Sequence, residues 1–203
     1  MQIAVLKKGS VFFSPADELD MYRLRFQMFR ERLNWDVDTE DGLEFDEYDD
    51  LDPHYLIAKD EQMICGCWRI LPTIGPNMLR DVFPELLAGL PAPCGEDIWE
   101  LSRFAVNRQR VDGFGFSRLP LSMMAHTVRF ARSQGVNQLV TVTTTALERL
   151  LKHAGLAPRR MGPALQIGVE RTVALAFDLD AAMESALAGA ARERGVNRAT
   201  NIV

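Results

Sequence analysis

Residues 98–107, IWELSRFAVN, place a carboxylate, a hydroxyl and a guanidinium inside an apolar run. Glu100, Ser102 and Arg103 lie between Ile98-Trp99 and Phe104-Ala105-Val106. The aromatic and β-branched flanks, free of Pro and Gly, are those of a buried strand. Alternation along a strand predicts Glu100, Ser102 and Phe104 on one face, and Trp99, Leu101 and Arg103 on the other. Removing ionised groups from water is costly unless they are paired or used. Two arrangements meet that cost. One is a buried salt-bridge network; the other is a cleft in which Glu100 acts as a base and Arg103 grips an anionic group. Arg69, beside Trp68 where the buried run of 63–70 ends in a charge, is a further candidate.

Residues 34–53, NWDVDTEDGLEFDEYDDLDP, are strongly acidic, with Trp35, Leu43, Phe45 and Tyr48 interleaved. Such a segment is either a lid over a cationic or planar ligand, or a mobile loop pinned to the core by its aromatics. It lacks the EF-hand spacing, and no metal site is expected. Residues 110–115, RVDGFG, form a glycine turn ahead of a helix, a place where backbone N–H groups can receive an anion. Cys65-Gly66-Cys67 is not a zinc or thioredoxin spacing. Both thiols are expected on one strand face, reduced, in a cytoplasmic protein.

The elements that must carry these groups follow from periodicity and caps. A first strand is predicted at 2–6. A helix then starts at Ser14, with Pro15 in its first turn and an apolar stripe of Leu19, Tyr22, Phe26, Phe29 and Leu33. Arg25 stands one turn from Phe29 and can share a cavity wall with it. Strands at 54–59 and 63–70 form a hairpin. A short helix at 78–88 turns Met78, Leu79, Val82, Leu86 and Leu87 inward and leaves Phe83 aside. A helix at 118–133, a strand at 138–144, a helix at 145–154 ending at Gly155, a strand or strand pair within 164–178 and a helix at 181–190 complete the chain. The polar tail beyond 195 is expected to fray. Hairpins followed by strand–helix alternation predict one α/β (α+β) domain spanning 1–203, a mixed sheet with helices on both faces.

The chain has 203 residues, a formal net charge of -5, 47% hydrophobic and 25% charged residues. An acidic chain is not expected to bind nucleic acid in general. No apolar run spans a bilayer, and the N-terminus lacks the pattern of a secretory signal. Against this acidic background Arg149, Lys152 and His153 share one helical face, followed by Arg159 and Arg160.

Taken together, LRFQMFRERLNWDV (24–37), EFDEYDDLDPHY (44–55), CGCWRILPT (65–73), DVFPELL (81–87), APCGEDIWELSRFAV (92–106) and VTVTTTALERLLKHAGL (140–156) give the chain its family likeness. It resembles the LuxI-type acyl-homoserine lactone synthases, from the first helix to about residue 178. The resemblance implies a fold like that of GCN5-type N-acetyltransferases, a twisted mixed sheet whose two central strands splay into a V-shaped acyl cleft. It implies acyl transfer from acyl carrier protein to the amine of S-adenosylmethionine, then lactonisation, giving an N-acyl homoserine lactone signal and methylthioadenosine. S-adenosylmethionine is then a substrate, and no cofactor is expected.

On this resemblance Arg25, Phe29, Trp35, Asp46, Asp49, Arg69 and Phe83 form the S-adenosylmethionine-binding set. Glu100 and Arg103 are catalytic, and Ser102, Thr141 and Thr143 line the acyl cleft. A threonine on that strand goes with 3-oxo acyl groups in the family, although threonine is also simply a good strand residue. Arg149, Lys152, Arg159 and Arg160 form the expected docking surface for the acidic carrier protein. Two other functions remain open at this level. One is an N-acetyltransferase using acetyl-CoA, whose pyrophosphate loop 110–115 fits; the other is a non-catalytic S-adenosylmethionine- or acyl-binding regulator.

Overall fold

The computed structural model describes residues 1–61, 63–107 and 118–193. The glycine turn at 110–115 and the polar tail beyond 195 lie outside the described residues. The chain opens with β1 (Gln2–Lys7) and α1 (Pro15–Phe26). Ser14 caps α1 as expected. Its hydroxyl accepts from the Asp17 N–H at 3.2 Å, and the Asp17 carboxylate accepts from the Ser14 N–H at 2.9 Å.

The apolar stripe of α1 differs from the one expected. Leu19 is exposed and Phe26 half-buried, while Met21, Leu24, Arg25 and Met28 join Tyr22 and Phe29 on the covered face. Two causes combine. The buried ion pairs of Arg25 fix which face the helix presents, and a π-helical turn over Gln27–Arg32 rotates later residues against a 3.6 period. The acidic segment folds as well. Asp41 and Gly42, at φ 50° and 78°, make the double left-handed turn that joins β2 (Thr39–Glu40) to β3 (Leu43–Glu44). A 3₁₀ turn follows over Glu47–Asp50.

β4 (His54–Asp60) and β5 (Met63–Pro72) are the expected hairpin. Ala58 pairs with Gly66 and Lys59 with Ile64, so Cys65 is an extra residue. That bulge turns Cys65 and Cys67 to opposite faces and into different core clusters, contrary to the same-face expectation. None of the three cysteines is in a disulfide. The helix expected at 78–88 is broken into α2 (Met78–Asp81) and a 3₁₀ turn over Pro84–Leu87. Pro84 keeps Phe83 out of helical geometry (φ −124°, ψ 38°). The break reverses two expectations: Phe83 turns in, 9% exposed, and Val82 turns out, 43% exposed.

β6 (Ile98–Val106), α3 (Arg118–Ser133), β7 (Gln138–Thr144) and α4 (Thr145–His153) follow. Arg159 and Arg160, expected in a loop, form the short strand β8 (Arg159–Arg160). It pairs with β10 (Glu170–Asp178), as does β9 (Leu165–Ile167). α5 (Ala181–Glu193) closes the described chain. The main sheet runs β1-β4-β5-β6-β7-β10-β8, with β9 on β10. Its neighbours are antiparallel except β6 and β7, which run parallel.

That parallel pair is short. It registers Ile98–Leu101 against Gln138–Thr141, and beyond those residues the two strands part. This is the splay expected of the fold. α1 covers one face of the sheet, and α3, α4 and α5 the other. The apolar core is accordingly divided: one large cluster lies under α3 to α5, one under α1, and one under α2 and the 3₁₀ turn after it. Each fully buried Leu, Ile or Phe in these clusters contributes about 1.5–3 kcal/mol. Among the described residues no helix is long and apolar enough to cross a membrane.

Gly168, between β9 and β10, sits at φ +57°, and an added Cβ would stand 3.0 Å from Trp35 Cδ1 and 3.2 Å from the Leu33 carbonyl oxygen. The turn therefore packs directly on the segment that follows α1. Gly168→Ala is expected to lower the unfolding free energy by about 1–2 kcal/mol in urea titration, from left-handed strain and this close approach together. Gly75→Ala, where nothing lies within 4 Å of the added atom, is the control and should change it by less than about 0.5 kcal/mol.

Candidate active site

Five elements meet at one end of β5 and β6. α1 brings Arg25, the β2–β3 hairpin brings Glu44, and the 3₁₀ turn brings Asp46 and Asp49. β5 brings Arg69, and β6 brings Glu100, Ser102 and Arg103. Arg103 is there because β6 is irregular. Cys67 pairs with Ala105 and Arg69 with Ser102, so two residues, Arg103 and Phe104, oppose Trp68 alone. Arg103 takes the left-handed conformation, φ 57°. This bulge corrects the simple alternation. Arg103 turns to the face of Glu100 and Ser102, while Phe104 turns to the opposite face and packs with Trp99 and Leu101 in the large cluster. A non-glycine residue held there stores about 1–3 kcal/mol of strain, a common feature of functional sites.

The charges interlock. Arg25 Nε donates to Glu44 at 2.5 Å, and its two Nη groups donate to Asp49 at 2.8 Å each, a bidentate pair. Arg69 donates to both oxygens of Asp46, from Nε to Ser102 Oγ at 3.1 Å, and lies 3.0 Å from Asp49. Arg103 Nε donates to Glu44 at 2.8 Å, and Nη2 lies 2.7 Å from Asp46. Tyr55 Oη adds a hydrogen bond to Asp49 at 2.7 Å. The side chains of Arg25, Arg69, Glu44 and Asp49 are at most 2% exposed. Each guanidinium also lies on a ring face: Arg25 on Tyr22, Arg69 on Tyr48, Arg103 on Phe29.

Two donors end on a weak acceptor. Arg69 Nη2 and Arg103 Nη1 both point at the Met78 thioether, 3.1 Å away. Arg103 also lines a cavity of about 500 Å³, with Trp35, Asp46, Tyr48, Met78 and Phe83. Trp35 stacks on Phe29, centroids 5.4 Å apart, and meets Phe83 at 6.2 Å. The cavity thus offers an aromatic wall, the four carboxylates of Asp36, Asp38, Asp46 and Glu47, and a guanidinium with one donor on sulfur. Such a lining suits a ligand that is cationic in one part and anionic in another. Arg25, Phe29, Asp49 and Arg69 stand behind this lining and brace it.

Glu100 is 1% exposed and accepts from the backbone N–H groups of Met78 (3.0 Å) and Leu79 (2.6 Å) at the start of α2. Burial pushes its carboxyl above the ordinary glutamate value, against those two hydrogen bonds. Asp49 goes the other way. Burial opposes its ionisation, but Arg25 and Arg69 outweigh that and hold it well below the usual range. The signs differ for stability. Asp49 stabilises the fold above its unfolded value of about 3.9, and that contribution fades as pH falls toward its depressed folded value. Ionised Glu100 costs stability at neutral pH, and acidification relieves it.

Thr141, at the point of parting, donates its hydroxyl proton to the Leu101 carbonyl at 2.7 Å, and Thr143 is buried two residues on. The basic cluster lies elsewhere, on α4 and β8. Arg149 and Arg159 are exposed, with no ion-pair partner among the described residues. Lys152 and Arg160 bond to Glu148 at 2.7–2.8 Å, and Arg160 above all, with Lys152, brings that carboxyl down to about 2.

Glu44, Tyr55 and Glu148 were not expected at a site from sequence, Tyr48 was expected only among the aromatics of the acidic segment, and Met78 only as an inward-facing residue. The Asp41-Gly42 dipeptide is a hairpin signal that would have turned Glu44 inward between Leu43 and Phe45. The others carry no local signal. Glu44→Gln should lower the unfolding free energy by about 3–5 kcal/mol, because two buried guanidiniums lose one charged acceptor. Asp36→Asn, on an exposed pair with Arg30, should change it by less than about 0.5 kcal/mol. Urea titration of both decides it; a small effect at Glu44 would mean that the cluster is hydrated.

Comparison with known proteins adds independent findings. A sequence model of the family described as autoinducer synthase matches residues 12–187. An acyl-homoserine-lactone synthase of Pseudomonas aeruginosa is 46% identical over 173 residues, 84% of this chain and 86% of its own length. The crystal structure of the AHL synthase LasI superposes with a TM-score of 0.87 at 42% identity, covering 93% of this chain and 94% of that one. BjaI, a CoA-dependent acyl-homoserine lactone synthase solved with S-adenosylmethionine and isopentyl-CoA, gives 0.82 at 29%, covering 95% and 89%. A putative N-acetyltransferase from Lactobacillus plantarum shares the fold alone, with a TM-score of 0.58 at 14% identity, covering 89% and 100%.

Proposed function

Given that the chain belongs to the autoinducer synthase family and is an acyltransferase of the acyl-homoserine-lactone synthase kind, we propose that S-adenosylmethionine is its acyl acceptor and acyl carrier protein its donor. The observation that carries this is the position of Arg103. It lines the cavity and sits on β6 just beyond the parting of β6 from β7, so one residue joins an acceptor pocket to an acyl cleft. The sulfonium lies against Trp35 and Phe83, an attraction of about 0.5–2 kcal/mol. Asp46 balances its charge. The carboxylate replaces the Met78 sulfur as acceptor for Arg103 Nη1.

The amine must be neutral to attack. Glu100 takes its proton, directly or through one water, and its raised pKa makes it a better base than an exposed glutamate. The amine then adds to the thioester carbonyl. Backbone N–H groups of β6 beyond Leu101 stabilise the oxyanion, and the carrier thiolate leaves. The methionyl carboxylate closes on its own γ-carbon and releases methylthioadenosine. A second donor has support from one relative, since BjaI is CoA-dependent. Incubation with S-adenosylmethionine and either acyl-carrier protein or acyl-CoA, read by mass spectrometry, separates the two. Lactone and methylthioadenosine from the carrier-protein arm is the expected result; lactone from acyl-CoA alone would replace the donor, and none from either would remove the proposal.

Glu100→Gln should lower kcat by about 10²–10⁴-fold. In the parent enzyme the acid limb of the rate should lie above pH 4.5, the ordinary value for the group, and the variant should lack it. An unchanged rate and profile would make Glu100 a structural clamp on α2.

We place carrier-protein docking on α4 and β8. Arg149 and Arg159 are its exposed contacts, since Lys152 and Arg160 are shared with Glu148. Arg149→Glu with Arg159→Glu should raise KM for acyl-carrier protein about tenfold, leave KM for S-adenosylmethionine unchanged and flatten the salt dependence of the rate. An unchanged carrier-protein KM and salt slope would put docking elsewhere.

A further inference from the structure

Three carboxylates on the cavity lining have no part in the mechanism above: Asp36, Asp38 and Glu47. Asp36 and Asp38 alternate with Trp35 and Val37, whose side chains pack on the cluster under α1. Glu47 opens the 3₁₀ turn that follows Asp46. All three are exposed at the cavity mouth. Their charges are cancelled to different degrees. Asp46 is held by Arg69 and Arg103, and Asp36 lies 3.8 Å from Arg30. Asp38 and Glu47 have no ion-pair partner among the described residues. Among those residues the lining therefore carries carboxylates in excess of guanidinium groups.

The reaction changes the charge that this lining meets. When the methionyl carboxylate oxygen bonds to the γ-carbon, the bond from that carbon to sulfur breaks. Its electron pair stays on sulfur, so the sulfonium becomes a neutral thioether and methylthioadenosine leaves without charge. A carboxylate within about one Debye length, roughly 10 Å at 0.1 M salt, attracts the sulfonium but has little hold on the thioether. A cavity of about 500 Å³ keeps its lining within that range of a bound ligand.

Resting on the reading of S-adenosylmethionine as acyl acceptor, we infer that Asp38 and Glu47 are specificity-determining residues that read the charge on sulfur. They favour the sulfonium substrate and let its thioether product go. Asp36 adds less, because Arg30 faces it. The test is calorimetric titration of the parent and of Asp38→Asn with Glu47→Gln, at about 0.1 M salt so that distant acids are screened. Three ligands are compared: S-adenosylmethionine, S-adenosylhomocysteine and methylthioadenosine. S-adenosylhomocysteine keeps the adenosine, amine and carboxylate and lacks only the methyl group that makes sulfur cationic. The parent should bind S-adenosylmethionine more tightly than S-adenosylhomocysteine. The double substitution should weaken S-adenosylmethionine about fivefold, leave the other two within about twofold and flatten the salt dependence of S-adenosylmethionine binding. Equal weakening of all three ligands would mean that the two acids only shape the pocket. No weakening of any, or a parent that does not distinguish the two sulfur charges, would mean that solvent screens them fully. Each of these results overturns the inference and leaves the acceptor reading standing. A parent that binds none of the three would remove the acceptor reading, and the inference with it.

Discussion

Three guanidinium groups, those of Arg25, Arg69 and Arg103, are withdrawn from water in this fold, and three carboxylates, Glu44, Asp46 and Asp49, are withdrawn with them. Each ion alone would be prohibitive to bury. Together they satisfy one another from four parts of the chain: α1, the β2–β3 hairpin with the turn after it, β5 and β6. No member can move without leaving a partner unpaired. The cluster therefore acts as a rigid floor, and the cavity wall of Trp35, Phe83 and Arg103 rests on it. The cost of assembling it goes into position rather than stability, since apolar replacements of such clusters are often no less stable.

Three backbone irregularities bring the charges into register. The left-handed bulge at Arg103 moves one guanidinium across the sheet. The π turn after Phe26 redirects the chain, so that the Trp35 N–H reaches the Phe29 carbonyl at 2.9 Å and the two rings stack. The left-handed Asp41-Gly42 turn folds an acidic segment back on itself and buries Glu44. Each breaks the period of its element, and each lies beside the site. Regular structure carries the core; departures from it place the chemistry.

The same departures explain what was legible in sequence. The Ser14 cap, the bounds of α3, β6 and β7, and the family likeness all follow local rules that the structure keeps. Glu100 and Arg103 were also identifiable, as charges among apolar neighbours, and Asp49 through the family likeness. The faces were less so. Arg103 with Phe104, Cys65 with Cys67, and Val82 with Phe83 were each assigned by periodicity, and each pair was changed by a bulge or a proline that a period does not contain. The partners of Glu44 and Met78 became visible only in three dimensions, because they come from distant segments. The division of labour among the arginines was equally hidden: only Arg103 lines the cavity, while Arg25 and Arg69 are held in the floor.

We propose that this floor orients one pocket so that an amine bound there lies within reach of Glu100. A crystal structure with S-adenosylmethionine tests it most directly. The expected result is the sulfonium against Trp35 and Phe83, the carboxylate on Arg103, and the amine within hydrogen-bonding distance of Glu100 or of a single water that it holds. S-adenosylmethionine bound outside this cavity, or with its amine turned away from Glu100 and no water between them, would contradict it.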